Sequence, residues 1–135
     1  METSATFHLW GNVDLTAAEV TRRLGVPPTG AFEAGTPVSP RSTATTDHSL
    51  WSLASAPHVQ AGVELDQQLR RLLAILEPVA DRLWELVGAG YEANWYCWIA
   101  SHATEHAAEL DRNTLRRILA LPGGLWLDVC GDDDE

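Results

Sequence analysis

Segment 65–87 constrains the fold most, because its apolar residues repeat with the period of a helix. At that period they occupy one sector of roughly 160°, and no charged residue enters it. The residues of this sector are Leu65, Leu69, Leu72, Leu73, Ile75, Leu76, Val79, Ala80, Leu83, Leu86 and Val87. Pro78 lies on the opposite, polar side, where water can replace the hydrogen bond that a proline removes. We therefore expect one long amphipathic helix on a core, kinked at Pro78.

Four other segments alternate apolar and polar residues with the two-residue period of a half-buried strand. They are residues 5–11, 51–55, 91–101 and 125–130. In the last of them, Leu125, Leu127 and Val129 are expected to face the core.

Two shorter helices are expected at residues 17–24 and 112–121. Thr16 is a good N-cap for the first, and Glu19 can complete a capping box. Asp111 is the expected cap of the second. The resulting order, β-α-β-α-β-α-β, predicts an α/β or α+β single domain. Its four-stranded mixed sheet should carry the helices mainly on one face.

Length and composition favour one domain spanning residues 1–135. A chain of 135 residues that is 45% hydrophobic can bury one core without disulfides. Residues 27–49 are rich in Pro, Gly, Ser and Thr and have no periodicity, which is typical of a long surface loop. The acidic end, residues 131–135, is expected to be a solvated tail.

The negative net charge of the chain argues against some classes of binding partner. Nineteen acidic against nine basic residues give a formal net charge of −10, which repels phosphate groups, so neither nucleic acid nor an anionic membrane is expected to bind. A basic protein partner is permitted. No signal peptide or membrane-spanning run is recognisable, so a cytoplasmic location is expected. Cys97 and Cys130 are expected to point to opposite sheet faces and to remain free thiols.

One short pattern resembles a metal site. His102, Glu105 and His106 match the H-x-x-E-H of inverted zinc peptidases, which also requires a third acidic ligand well downstream. Most of the chain after His106 is assigned to a helix and a strand of the core. These three residues are therefore expected to lie in a polar loop, and no metal, cofactor or catalytic residue is predicted.

Strand alternation also defines a second face of the sheet, turned away from the helices. Its expected members are His8, Trp10, Asn94, Tyr96, Trp98, Trp126, Asp128 and Cys130. Trp and Tyr beside hydrogen-bonding groups are typical of protein-contact and ligand sites. We expect the four Trp and Tyr rings to anchor a ligand, with His8, Asn94 and Asp128 as polar contacts. Burial of this face under the 27–49 loop or the second helix, and pairing of two such faces in a homodimer, are the alternatives.

Several short motifs resemble a bacterial family known as domain of unknown function 4279. They are Ala5-Thr6-Phe7, Leu24-Gly25, Pro28-Thr29, Gly35, Trp51-Ser52-Leu53-Ala54-Ser55, the Leu-rich helix and Leu127-Asp128-Val129. The resemblance spans nearly the whole chain and implies a small bacterial cytosolic protein. It implies no catalytic residues.

Two functional hypotheses follow. The first is a non-enzymatic binding protein that holds a protein partner on the aromatic sheet face, possibly a basic one as an immunity or antitoxin protein would. The second is a small-molecule-binding protein or enzyme with a pocket between that face and the 27–49 loop, where His8, Asp128 and Cys130 would act.

Overall fold

The computed structural model describes residues 2–56, 60–101 and 107–131. The strands are β1 (Glu2–Gly11), β2 (Gly30–Phe32), β3 (Ser49–Ala54), β4 (Gln60–Ala61), β5 (Glu92–Ala100) and β6 (Gly124–Cys130). The helices are α1 (Ala17–Leu24), α2 (Leu65–Leu76), α3 (Ala80–Gly88) and α4 (Arg112–Leu119). A single 3-10 turn, Glu77–Val79, joins α2 to α3.

The strands form one mixed sheet with the order β2-β3-β1-β5-β6. Neighbouring strands are antiparallel except β5 and β6, which run parallel. The chain segment that connects these two strands contains α4. The short β4 pairs with the first residues of β1. The predicted α+β class, the mixed sheet and the three helical segments are confirmed, but the predicted count of four strands is wrong. Two strands were not predicted: β2, which lies inside the 27–49 loop, and β4; with three and two residues they are too short to show alternation.

A single hydrophobic core lies between the sheet and the helices, as predicted. Phe7 and Trp95 meet edge to face in it, with ring centroids 4.8 Å apart. Its fully buried large side chains come from β1, β3, β5, α2 and α3: Phe7, Leu9, Trp51, Leu65, Leu69, Leu72, Leu73, Leu76, Leu83, Leu86 and Trp95. The helices therefore occupy one face of the sheet, which leaves the other face free of helices among the described residues.

The last strand departs from the prediction. Leu125, Leu127 and Val129 are on the helix side of β6, but they are exposed rather than buried. The main helix–sheet contacts are those of α2 with β1 and of α1 with β3 and β1. Strand β6 lies at the edge of the sheet, outside the area that these two helices cover. The prediction for the cysteines is confirmed, since Cys97 is buried, Cys130 is exposed and both are free.

The start of α1 is capped by the predicted residue and by a second one. Thr16 Oγ1 accepts a hydrogen bond from the backbone N–H of Glu19 at 3.1 Å. The side chain of Glu19 pairs with two arginines of the same helix instead of closing the capping box. The first two N–H groups of the helix donate to the Glu33 carboxylate at 2.7 and 3.0 Å. The 27–49 loop is thereby fixed to the helix layer at this point.

The predicted long helix is divided at Pro78, which is exposed within the 3-10 turn. Glu77 beside it forms a two-bond ion pair with Arg117 of α4, at 2.9 and 2.6 Å. The interruption of the helix thus lies at its contact with α4. In the part of the chain that is described, no helix has the length and apolarity to cross a membrane.

Two polar residues of α2 are buried, contrary to a purely amphipathic pattern. Asp66 lies outside the apolar sector of the helix, but it is buried and accepts a hydrogen bond from Asp111 N at 2.8 Å, which holds the start of α4. Gln68 donates to the Thr3 carbonyl at 2.7 Å and accepts from Ser55 Oγ at 2.5 Å. In both cases, hydrogen bonds to residues outside the helix account for the burial of the polar side chain.

Candidate interaction site: the aromatic face

The sheet face without helices carries the residues predicted for it. Strand pairing places His8 beside Asn94, Tyr96 beside Trp126, and Trp98 beside Asp128. We call this surface the aromatic face and define it by His8, Trp10, Asn94, Tyr96, Trp98, Trp126, Asp128 and Cys130. Trp10, Tyr96 and Trp98 are half-buried, and Trp126 is exposed.

A row of rings crosses the face from β5 towards the 27–49 loop. His8 stacks on Tyr96 with centroids 5.9 Å apart and an interplanar angle of 21°. Its other neighbour is Trp10, at 5.6 Å. The ring of Trp10 in turn lies 4.8 Å from the ring of His48. Such contacts hold large side chains in fixed orientations, so the face is a preorganised surface.

Two residues of this row were missed by the sequence reasoning. His48 and Phe32 pack against each other with centroids 5.6 Å apart at the loop end of the row. The alternation of β3 predicts the position of His48, because counting back two residues from Leu50 keeps the same face. Phe32 pairs with Leu50 through β2, and nothing in the local pattern of the loop indicates that strand.

Tyr96 and Asp128 form the strongest polar contact on the face. The Tyr96 hydroxyl donates to Asp128 Oδ2 at 2.6 Å. This hydrogen bond, with smaller effects of desolvation and charge, raises the pKa of Tyr96 to about 12. The bond fixes the phenol ring, and a carboxylate with two oxygens can accept further hydrogen bonds.

His8 and Asn94 form the polar centre of the face. Burial lowers the pKa of His8, and the adjacent Asn94 side chain, which favours the protonated ring, acts in the opposite direction. The balance favours the neutral form of the His8 ring. The Oδ1 atom of Asn94 is enclosed and accepts no hydrogen bond from any described group. Because this atom is enclosed, a ligand does not reach it in this conformation, and the His8 ring is the neighbouring group that can donate to it.

The 27–49 loop borders the face and does not seal it. His48 touches Trp10 at one edge, whereas Glu33 of the same loop is engaged at the helix layer. Trp98 and Trp126 lie on β5 and β6, two and three positions from β3 in the sheet order. Within the described ranges no helix lies on the face.

Charge is distributed unevenly between the two sides of the sheet. All nine basic residues are arginines, and eight of them belong to helices. These are Arg22, Arg23, Arg70, Arg71, Arg82, Arg112, Arg116 and Arg117. By strand alternation the aromatic face carries the carboxylates of Glu2, Glu92 and Asp128 instead. The face therefore favours a basic ligand.

A cleft of about 540 Å³ opens where β1 ends and β5 begins. Its lining includes Trp10, Asp47, His48 and Glu92. His48 Nδ1 lies 2.8 Å from Asp47 Oδ1, a contact that lowers the pKa of the Asp47 carboxyl. The cleft thus combines an aromatic wall with two carboxylates. His8, Asp128 and Cys130 are not part of this lining.

The metal-site candidates fall outside the described residues. His102, Glu105 and His106 belong to the segment 102–106, and residues 132–135 of the acidic tail are likewise not described. Among residues 2–56, 60–101 and 107–131 there is no group of three His, Cys, Asp or Glu side chains that could hold a metal ion.

Fold and site together define an α+β protein with helices on one face of a mixed sheet and an aromatic surface on the other. The chain belongs to the family described as domain of unknown function (DUF4279), whose model matches residues 1–131. The family resemblance seen in the sequence is therefore confirmed. Comparisons with curated proteins and with solved structures give no match.

Proposed function

We propose that this protein is a non-enzymatic binding protein that holds a basic protein partner on its aromatic face, as an immunity or antitoxin protein would. The observation that carries the proposal is a sheet face that no described helix covers and on which Trp10, Trp98 and Trp126 project. Large aromatic side chains in the centre of an interface contribute most of the binding free energy in many complexes.

The separation of charge supports a basic partner. A ligand that approaches the aromatic face meets carboxylates and two histidines, whereas the helix side carries most of the arginines. Complementary charge speeds association and disfavours acidic competitors. The carboxylate of Asp128 can accept charge-assisted hydrogen bonds from arginine or lysine side chains of the partner.

The test is affinity capture of the partner from a soluble extract of the native host with the full-length protein as bait. Wild-type protein is expected to capture one basic protein, and Trp98→Ala is expected to lose it. The control is Trp84→Ala, because Trp84 is a partly exposed tryptophan on α3, on the helix side. It should capture the partner as wild type does.

The outcome that contradicts the proposal is equal capture by wild type and Trp98→Ala. Loss of capture by the two variants alike also contradicts it, because the contact would then not be specific to the aromatic face. Circular dichroism of each bait establishes that the variant is folded.

A second function is favoured by the cleft beside Trp10. Its volume lies within the range of small-ligand sites, and an aromatic wall with two carboxylates suits a small organic cation. A thermal-shift screen with alkylammonium and guanidinium compounds tests this function. A shift that Glu92→Gln abolishes and Trp98→Ala preserves would favour it over protein binding.

A further inference from the structure

Strand β6 is an open edge of the sheet with an unusual composition. It pairs with β5 on one side, and no described strand pairs with its other side. Its seven residues, GLWLDVC, include no lysine and no proline, and Asp128 is the only charged one. Exposed apolar edges of this length invite pairing with another strand. The opposite edge, β2, has three residues.

The free backbone groups of β6 belong to its apolar residues. Ser101 N donates to the carbonyl of Cys130 at 3.2 Å, so the carbonyl of Cys130 points to the β5 side. Backbone groups alternate in direction along a strand. The N–H and C=O groups of Leu125, Leu127 and Val129 therefore point outward to the open edge.

The side chains around this edge present enough apolar surface for association. Trp126 is 61% exposed, Val129 66% and Leu127 51%. A groove of about 710 Å³ between α4 and β6 continues the surface through Leu119 and Leu125. With ~150 Å² for an aliphatic residue and ~250 Å² for tryptophan, the exposed apolar area of these five residues is roughly 500 Å². A standard interface buries about 800 Å² on each partner, so the edge with its backbone approaches that size.

We propose that a second copy of this chain pairs antiparallel along β6, with Leu127 on the two-fold axis. Leu127 then lies opposite Leu127 of the second copy, and Leu125 opposite Val129. These are the residues whose backbone groups point outward, so they form three hydrogen-bonded pairs with about six hydrogen bonds. A shift of the strands by two residues loses one of these pairs. The interface is isologous, as in most homodimers.

The same register suits the side chains of the aromatic face. Asp128 lies opposite Trp126 of the second copy rather than opposite another Asp128, so the only charge of the strand meets no like charge. The two aromatic faces become one continuous surface, to which each copy contributes a tryptophan beside the carboxylate of the other. This dimer does not depend on the proposed binding of a protein partner.

Sedimentation velocity between roughly 1 and 100 µM tests the dimer directly. Wild type is expected to sediment as a dimer. Leu127→Lys places two ammonium groups beside the axis and is expected to weaken the dimer at least ~100-fold. Val13→Lys is the matched control, since Val13 is 69% exposed in the turn after β1, away from β6. The two variants have the same net charge, and only the first is expected to be monomeric.

Disulfide trapping tests the register. Gly124 lies opposite Cys130 of the second copy in a non-hydrogen-bonded pair, with Cα atoms about 4.5 Å apart, a distance that a disulfide can span. A Cβ atom at Gly124 meets no other atom within 4 Å. Gly124→Cys is therefore expected to give a covalent dimer with diamide, which takes up the two electrons and two protons of the thiols. Leu125→Cys points to the opposite face from Cys130 and is expected to remain uncrosslinked.

Each result decides the proposal. A monomeric wild type at the highest concentration overturns it, and so does a Leu127→Lys variant that stays dimeric. Equal trapping of Gly124→Cys and Leu125→Cys, or of neither, overturns the register. None of these experiments involves the partner protein, so their failure leaves the test of the proposed function unaffected.

Discussion

Replacing two tryptophans of the same strand separates a core position from a surface position. Trp95 and Trp98 both lie on β5, but Trp95 is fully buried against Phe7 and its indole N–H donates to the Pro122 carbonyl at 3.1 Å. Trp95→Ala removes a large core side chain, at about 3–5 kcal/mol, and leaves the carbonyl without its donor, at about 1 kcal/mol more. Trp98→Ala removes a half-buried ring and leaves no closed cavity, so its expected effect on the free energy of unfolding is about 1 kcal/mol.

Urea denaturation followed by far-ultraviolet circular dichroism measures both effects, because the peptide backbone dominates this signal. Similar denaturant slopes would show that the variants unfold from comparable native states. If Trp95→Ala fails to fold, Trp95→Leu gives the same comparison with a smaller loss. A loss of 3 kcal/mol or more in Trp98→Ala, about as large as that of the core variant, would refute the reasoning, since the ring would then be sealed beneath another part of the chain.

Three further outcomes are expected. Because the pKa of His8 is lowered in the folded state, stability should fall as pH drops below the unfolded-state value of about 6.5; urea midpoints at several pH values should show a weaker dependence in His8→Gln. Asp128→Asn should bring the pKa of Tyr96 down from about 12, and ultraviolet titration of the phenolate measures this shift against wild type. Gln68→Leu leaves the buried partners of the amide unsatisfied and should cost about 2–4 kcal/mol, whereas the exposed neighbour Gln67 should tolerate Gln67→Ala within about 0.5 kcal/mol in the same assay.

The features that the sequence predicts well are those specified by neighbouring residues. Helix α1 spans Ala17–Leu24 as expected, since a threonine cap begins it and Gly25, with φ of 67°, ends it. The side-chain direction in β1 and β5 is also as expected, because a register slip by one residue would expose Phe7 and Trp95. The aromatic face follows from this alternation.

The features that the sequence does not predict depend on contacts between distant segments. Strand β2 exists because Ala31 pairs with Trp51 of β3, and the burial of Asp66 depends on the position of α4. The exposure of Leu127 follows from the place of β6 at the end of the sheet order. An apolar alternating strand has the same pattern at the centre of a sheet and at its edge, so only the pairing distinguishes the two.

The most direct test of the central claim is isothermal titration of the purified partner with wild type and with Trp10→Ala, Trp98→Ala and Trp84→Ala. We predict that the two aromatic-face variants bind at least ~30-fold more weakly, the effect of a lost contact of about 2 kcal/mol. The helix-side variant should bind as wild type does. Unchanged affinity of Trp10→Ala and Trp98→Ala would contradict the account and place the binding surface elsewhere on the protein.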